Sequence, residues 1–189
     1  MSQLVWKDGR LYGTAANGGS YGFGVVFSVD TTGQETVLHS FKGKGDGATP
    51  EAGLLNVGDL FYGTTGGGEH GKGTIFSITK RGDKKLLYRF QGGSDGAVPT
   101  GDLINVNGTL YGTTFNGGGG PCAINGESGC GTVFSVAPDG TETVLYAFQS
   151  GPNDGAYPQG PLMSFGGGLY GVTIAGGSNG LGTVFVFTP

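Results

Sequence analysis

A chain of 189 residues is long enough for one compact domain and short for two. Gly supplies 44 of them while 11% are aromatic, which excludes a disordered linker; Gly does not recur at every third position, which excludes collagen. Each interior Gly costs a helix about 1 kcal/mol against Ala, so a mainly helical fold is excluded, and a net charge of −4 with no basic stripe excludes phosphate-driven nucleic-acid binding.

The predicted elements recur in a fixed order. A first strand over Leu4–Trp6 meets the turn pair Asp8-Gly9, and a second strand carries Tyr12-Gly13. A Gly-rich loop with Gly18-Gly19 leads to a third strand bearing Phe27, three residues after Gly24. A fourth strand ends on Phe41, and Asp46-Gly47-Ala48 followed by Pro50 opens the next unit. The second copy repeats this with Gly58-Asp59, Tyr62-Gly63, Gly66-Gly67, Gly73 with Phe76, then Phe90 and Asp95 to Pro99. The cluster Lys80, Arg81, Lys84 and Lys85 straddles a turn of this copy and reads as a solvated hairpin tip. In the third copy the strands fall at 103–106, 110–114, 132–136 and 143–148, with Asn107-Gly108 predicting a type I′ hairpin. Asn107-Gly108-Thr109 also fits a glycosylation sequon, but the turn accounts for it. Asp154 to Pro158 leads to a last copy with Gly166-Gly167, Tyr170-Gly171, Gly176-Gly177, Gly182 and Phe185, ending on a third strand over 183–187.

Four repeats at about 2–48, 49–97, 98–156 and 157–189 result, with 15 strands where four complete units need 16. A repeated antiparallel four-stranded unit of this length is the mark of a β-propeller blade, because a lone blade cannot bury its two faces and neighbours must cover them. The expected fold is therefore an all-β propeller over 1–189 whose Tyr and Phe columns form the core. The last blade lacks its outer strand, leaving an edge open to pairing. Two closures satisfy this count: a four-bladed monomeric ring, or a dimer of two chains forming one eight-bladed ring. A fragment of a longer array is the third reading.

These residues resemble two families. The hairpin, Tyr, Gly-Gly loop and aromatic third and fourth strands are similar to kelch repeats, although Phe41, Phe90 and Phe148 stand where kelch carries Trp. The bacterial tandem repeat known as GloVer is a closer match, carried here by DGATPEAGLL, DGAVPTGDLI and DGAYPQGPLM, by LYGTA, FYGTT, LYGTT and LYGVT, and by GTIFSI, GTVFSV and GTVFVF. The resemblance implies an exported or surface repeat protein with no assigned activity and transfers no catalytic residue.

Candidate chemistry is sparse. Asp46, Asp95 and Asp154 are candidate calcium ligands, set against the reading that each carboxylate fixes its own turn through backbone amides. Cys122 and Cys130, eight apart in one loop, suggest a local disulfide and with it an oxidising compartment and a secreted or cell-surface protein, set against the alternative of two free thiols. His39 shares a column with Tyr88 and Tyr146 and reads as a packing variant. Residues that break the repeat gather in the loops between second and third strands: Tyr21, Glu69, His70, Phe115 and Asn116 are the candidate ligand-binding rim. The expected function is non-enzymatic recognition or scaffolding, with a glycan or protein ligand at that rim and no nucleic acid or membrane insertion. The alternative is an enzyme of lyase, hydrolase or cyclase type with an active site in the axial funnel.

Overall fold

The computed structural model describes residues 3–67, 71–124 and 126–189. It is all-β; among the described residues the only helical element is one 3₁₀ turn, Lys44–Asp46. The chain divides into two units, Met1–Arg89 and Phe90–Pro189.

The first unit holds two antiparallel meanders. Strands β1 (Val5–Lys7), β2 (Arg10–Ala15), β3 (Val25–Asp30) and β4 (Glu35–Ser40) pair in that order, as do β5 (Leu55–Val57), β6 (Leu60–Thr65), β7 (Thr74–Thr79) and β8 (Lys84–Arg89). In the second unit a short β9 (Gly96–Ala97) precedes β10 (Ile104–Val106) and β11 (Thr109–Thr114). Short pieces β12 (Asn116–Gly117), β13 (Ala123–Ile124) and β14 (Glu127–Ser128) follow, then β15 (Thr132–Val136) and β16 (Glu142–Ala147). The chain ends with β17 (Gly155–Pro158), β18 (Met163–Phe165), β19 (Gly168–Gly176) and β20 (Val184–Phe187). One sheet runs β10-β11-β15-β16; in the last sheet β19 pairs β18 and β20 along one half and β17 along the other. The fifteen expected strands are thus present within one or two residues, and the short β9, β12, β13, β14 and β17 are additional.

The hairpin turns follow the residues that make them. Asp8 and Gly9 have φ of 48° and 81°, and Asn107 and Gly108 have 52° and 91°, the left-handed pairs a type I′ turn demands. Each sheet then solves a common packing problem in a common way. The Gly of each Tyr-Gly pair lies across the strand from the third-strand Phe: Gly13 opposite Phe27, Gly63 opposite Phe76, Gly112 opposite Phe134 and Gly171 opposite Phe185. A Cβ on Gly112 would lie 2.6 Å from the Phe134 ring and 2.9 Å from Leu103. The ring occupies the volume that the missing side chain leaves, an arrangement that restores packing over a strand glycine.

Against that ring sits the edge of another. Phe41 meets Phe76 at 5.3 Å and 67°, Phe90 meets Phe134 at 5.2 Å and 66°, and Phe148 meets Phe185 at 5.1 Å and 67°. Such edge-to-face contacts contribute about 0.5–1.5 kcal/mol beyond the area they bury. Phe41, Phe76, Phe90, Phe134 and Phe148 are buried, as the Phe column predicts, while Phe27 and Phe185 remain half-exposed. Every sheet therefore has an upstream face, carrying the third-strand Phe, and a downstream face, carrying Tyr12 or its counterparts. In the first unit Tyr12 stacks on Phe61 at 4.4 Å, downstream face on upstream face. The fourth strands reach this packing through a bulge placed alike in three sheets, at Val26/Phe27, Ile75/Phe76 and Val133/Phe134. The extra residue is Leu38, Leu87 or Leu145, and the added local twist lets the strand end curl its Phe inward.

Adding one methyl group at the glycine should break this packing. Gly112→Ala has no adverse backbone angle to overcome, so its cost is overpacking, about 1–3 kcal/mol; urea denaturation followed by fluorescence will read it.

Candidate functional site

The three Asp-Gly-Ala turns are built alike. The Gly of each is pressed onto a hydrogen-bonded pair of threonines: the buried Thr65 with Thr74 at 2.8 Å and Thr114 with Thr132 at 2.8 Å, and the part-buried Thr173 with Thr183 at 2.9 Å. A Cβ on Gly96 would meet Thr114 at 2.4 Å, and one on Gly155 would meet Thr173 at 2.5 Å. One Thr of each pair also donates to the backbone carbonyl two residues on, so the buried hydroxyls are satisfied. The Ala of each turn pairs with the extension of a second strand, as Ala48 with Gly67, Ala97 with Asn116 and Ala156 with Ala175.

The residue between Ala and Pro is left-handed in all three copies. Thr49 has φ 51°, Val98 57° and Tyr157 58°. A non-glycine residue pays about 1–2 kcal/mol for this backbone region, and β-branching makes it worse. The conformation is held by bonds on either side: the Thr49 N–H donates to Phe23 O at 2.9 Å, the Tyr157 N–H to Cys130 O at 2.7 Å, and the Phe115 N–H to Val98 O at 2.9 Å.

The candidate calcium ligands spend their oxygens locally. Asp95 accepts from the Gln91 and Gly96 N–H groups at 2.8 and 2.6 Å; Asp154 accepts from Gln149 and Gly155 at 2.6 and 2.7 Å. Asp46 Oδ2 accepts from the Lys42 N–H at 2.9 Å and lies 3.0 Å from His39 Nε2, while Oδ1 accepts from the Lys84 ammonium at 2.9 Å. Lys84 also donates to Asp46 O at 2.9 Å and lies over the Phe41 and Phe76 rings. Lys84 thus departs from the solvated-tip reading: its side chain is 6% exposed because the carboxylate and two ring faces compensate its desolvation. His39 and Tyr146 share more than a packing column, since each presents a polar tip to the Asp of its turn. Burial, followed by the Asp154 charge and the hydrogen bond to it, pushes the Tyr146 hydroxyl above its ordinary range. Among the described residues no three His, Cys, Asp or Glu side chains gather into a set that would hold a metal ion.

In the second unit the position matching Lys84 in β16 is Glu142, whereas in the last repeat the corresponding place is open. A pocket of about 210 Å³ is lined by Val133, Tyr146, Phe148, Asp154, Phe185 and the end of β20. Its carboxylate and two rings match Asp46, Phe41 and Phe76.

The described rim residues differ in their exposure. Tyr21 is exposed, with the Lys42 ammonium 5.7 Å from its ring, and Phe23 beside it is exposed too. Phe115 is half-buried and stacks on Tyr157 at 5.0 Å. Asn116 is buried, its carbonyl accepting from Thr114, so its side chain is not offered to solvent. Glu69 and His70 lie outside the described residues. Cys122 and Cys130 form the expected disulfide, which closes a loop holding the β13–β14 hairpin and anchors it through the buried Cys130.

A known bacterial repeat matches residues 1–124, about two thirds of the sequence. The chain belongs to the Gloeobacter/Verrucomicrobia repeat family. No curated protein matches it. Solved structures do, among them the computationally designed Ika8 protein, at 15% identity and a TM-score of 0.43 over 97% of this chain. The chain spans 57% of the length of that designed protein.

Two outcomes follow for this Gloeobacter/Verrucomicrobia repeat protein. Burial raises the Asp46 carboxyl, but Lys84, the Lys42 N–H and His39 outweigh it and hold it below the usual carboxylate range. Its contribution to stability is therefore complete above the unfolded value of about 3.9 and is lost as pH falls through the lower folded value. Asp46→Ala, which strands the Lys84 ammonium, should cost about 2 kcal/mol at neutral pH, discounted because Asp46 keeps 23% of its side chain exposed. Urea titrations of both proteins across the acid range should show that difference shrinking. Separately, reducing the disulfide or introducing Cys122→Ala should lower stability by about 2–3 kcal/mol, the chain-entropy value for so short a loop, read by denaturation with and without dithiothreitol.

Proposed function

We propose that this chain is a non-enzymatic recognition or scaffold protein whose repeats are successive blades of a β-propeller, acting in an oxidising compartment outside the cytosol. The near-constant Phe–Phe contacts, within 0.2 Å and 1° of one another, show the same local packing in each unit and support the repeat reading. The disulfide supports the compartment. No helix of the described residues is long and apolar enough to cross a membrane.

The ligand class is protein, and one observation carries this. The pocket of Asp154, Phe148 and Phe185 repeats the set that, in the first unit, holds the ammonium of Lys84. In the first unit a set of this kind receives a lysine on an extended strand, which supports that ligand class. Beside the pocket β20 pairs with β19 along one edge, and its other edge has no strand partner among the described residues. A partner segment adding to that edge would place a lysine over the two rings by ordinary strand addition. A glycan ligand at the loop of Tyr21 and Phe23 is the second reading, favoured by two exposed rings on a loop pinned by the Gly22 N–H to Gly19 O and Gly24 N–H to Gly18 O bonds.

A labelled peptide copying residues 82–90, which contains the internal occupant Lys84, tests the first reading by fluorescence anisotropy. Binding should occur, should weaken at least tenfold when the lysine is replaced by norleucine, and should weaken similarly in Asp154→Asn. Binding indifferent to both changes, or none at all, refutes the lysine pocket.

A further inference from the structure

The two terminal repeats differ from the inner ones on one face each, and in one direction. On the upstream face of the first repeat, Trp6 stands where the other repeats have Asn56, Asn105 and Ser164, and Ala15 with Val25 replaces the three Thr–Thr pairs. On the downstream face of the last repeat, Val172 replaces Thr14, Thr64 and Thr113, and Val186 replaces Ser28, Ser77 and Ser135. Phe165 stands where the others have Lys7, Val57 and Val106. Half-buried Asn56 and Asn105, and buried Thr64, Thr113 and Ser77, thus have the exposed apolar counterparts Trp6, Val172 and Val186 on the outer face of a terminal repeat.

These replacements are the reverse of what a solvated face requires. On the last repeat Phe165 is 71% and Val184 77% exposed, with Met163, Val172 and Val186 open beside them; on the first repeat Trp6 is 59% exposed. A contiguous exposed apolar sheet face marks a surface that is covered in use.

The inner junction of the first unit says what covers it. There the downstream face of one repeat meets the upstream face of the next, and Lys7 Nζ donates to Asn56 Oδ1 at 3.2 Å. The counterparts of those two residues on the free faces are Phe165 and Trp6. The polar pair has become an aromatic pair, changed on both sides at once. Thr14, which donates to Ala52 O at 2.7 Å across that junction, has become Val172, which needs no such acceptor. The Ala15–Val25 pair has lost the hydroxyls on which an Asp-Gly-Ala turn rests elsewhere, so the first repeat's face is not cut to receive one. The two free faces are complementary to each other and less so to an inner repeat.

We infer that the occupant is a second copy of this chain: the downstream face of the last repeat in one copy docks on the upstream face of the first repeat in the other, twice, about a twofold axis. The contact extends the repeat-to-repeat packing within the chain across a molecular boundary. It does not involve the Asp154 carboxylate, so Asp154→Asn leaves it intact.

Light scattering after gel filtration, at micromolar concentration, tests this. The wild type should have twice the 19.0 kDa mass of one chain. Phe165→Glu and Trp6→Glu should each be monomeric and still melt cooperatively, at a temperature that no longer depends on concentration, since both side chains are exposed in the single chain; Val184→Glu substitutes should Phe165→Glu fail to fold. Mixing Phe165→Glu with Trp6→Glu should restore the double mass, because one of the two contacts then joins unaltered faces. A monomeric wild type, a ladder of larger masses, variants that still pair, or a mixture that stays monomeric would each overturn the inference; the last would indicate like faces meeting like.

Discussion

A phenylalanine ring lying over a cross-strand glycine sets the dimensions of the four-stranded sheets in this protein. Gly63, Gly112 and Gly171 have no side chain to give, so the rings of Phe76, Phe134 and Phe185 settle against the backbone and present an edge-accepting face outward. The Phe that ends a neighbouring fourth strand can then approach to about 5 Å. A larger residue at the glycine would lift the ring and with it the next layer. The bulged leucines, the threonine pairs and the turn glycines are arranged around this separation.

The polar groups follow a second logic. Burial makes an unpartnered hydroxyl or carboxylate costly, and the threonine pairs and junction carboxylates meet that cost within the chain. The threonine pairs satisfy each other and a nearby carbonyl; Asp95 and Asp154 cap the loop that carries them. Where one copy departs, it departs with compensation. Lys84 is buried because Asp46 and two rings receive it. In the second unit the corresponding carboxylate and rings form an open pocket instead.

The strand order and the core were legible in the sequence because the repeat supplies four readings of each position. The Tyr-Gly, Phe and Asp-Gly-Ala columns mark second strands, buried rings and junction turns, and period-2 alternation does the rest. The threonine pairs were not legible as a unit. Thr65 and Thr74 look like ordinary strand residues until pairing sets them opposite each other. The fate of Lys84 was hidden for a related reason: its neighbours Lys80 and Arg81 sit at a turn, and its partner Asp46 is 38 positions away. Of the rim, Tyr21 is where a loop residue should be, but Asn116 pairs with Ala97 and is drawn inside, a long-range contact that copy-to-copy variation does not reveal.

The left-handed residue in each junction turn has a consequence for how such a repeat diversifies. At Thr49, Val98 and Tyr157 the backbone angle is imposed by neighbours, and the side chain is only half-buried. Its identity is therefore uncoupled from the fold, as the three unlike residues show. A duplicated unit can change chemistry there without disturbing either sheet, and Tyr157, which already stacks on Phe115, is an instance of a copy acquiring its own surface character. The conformational penalty at these positions is a fixed cost of the architecture, while the variation it permits is inherited anew with each copy.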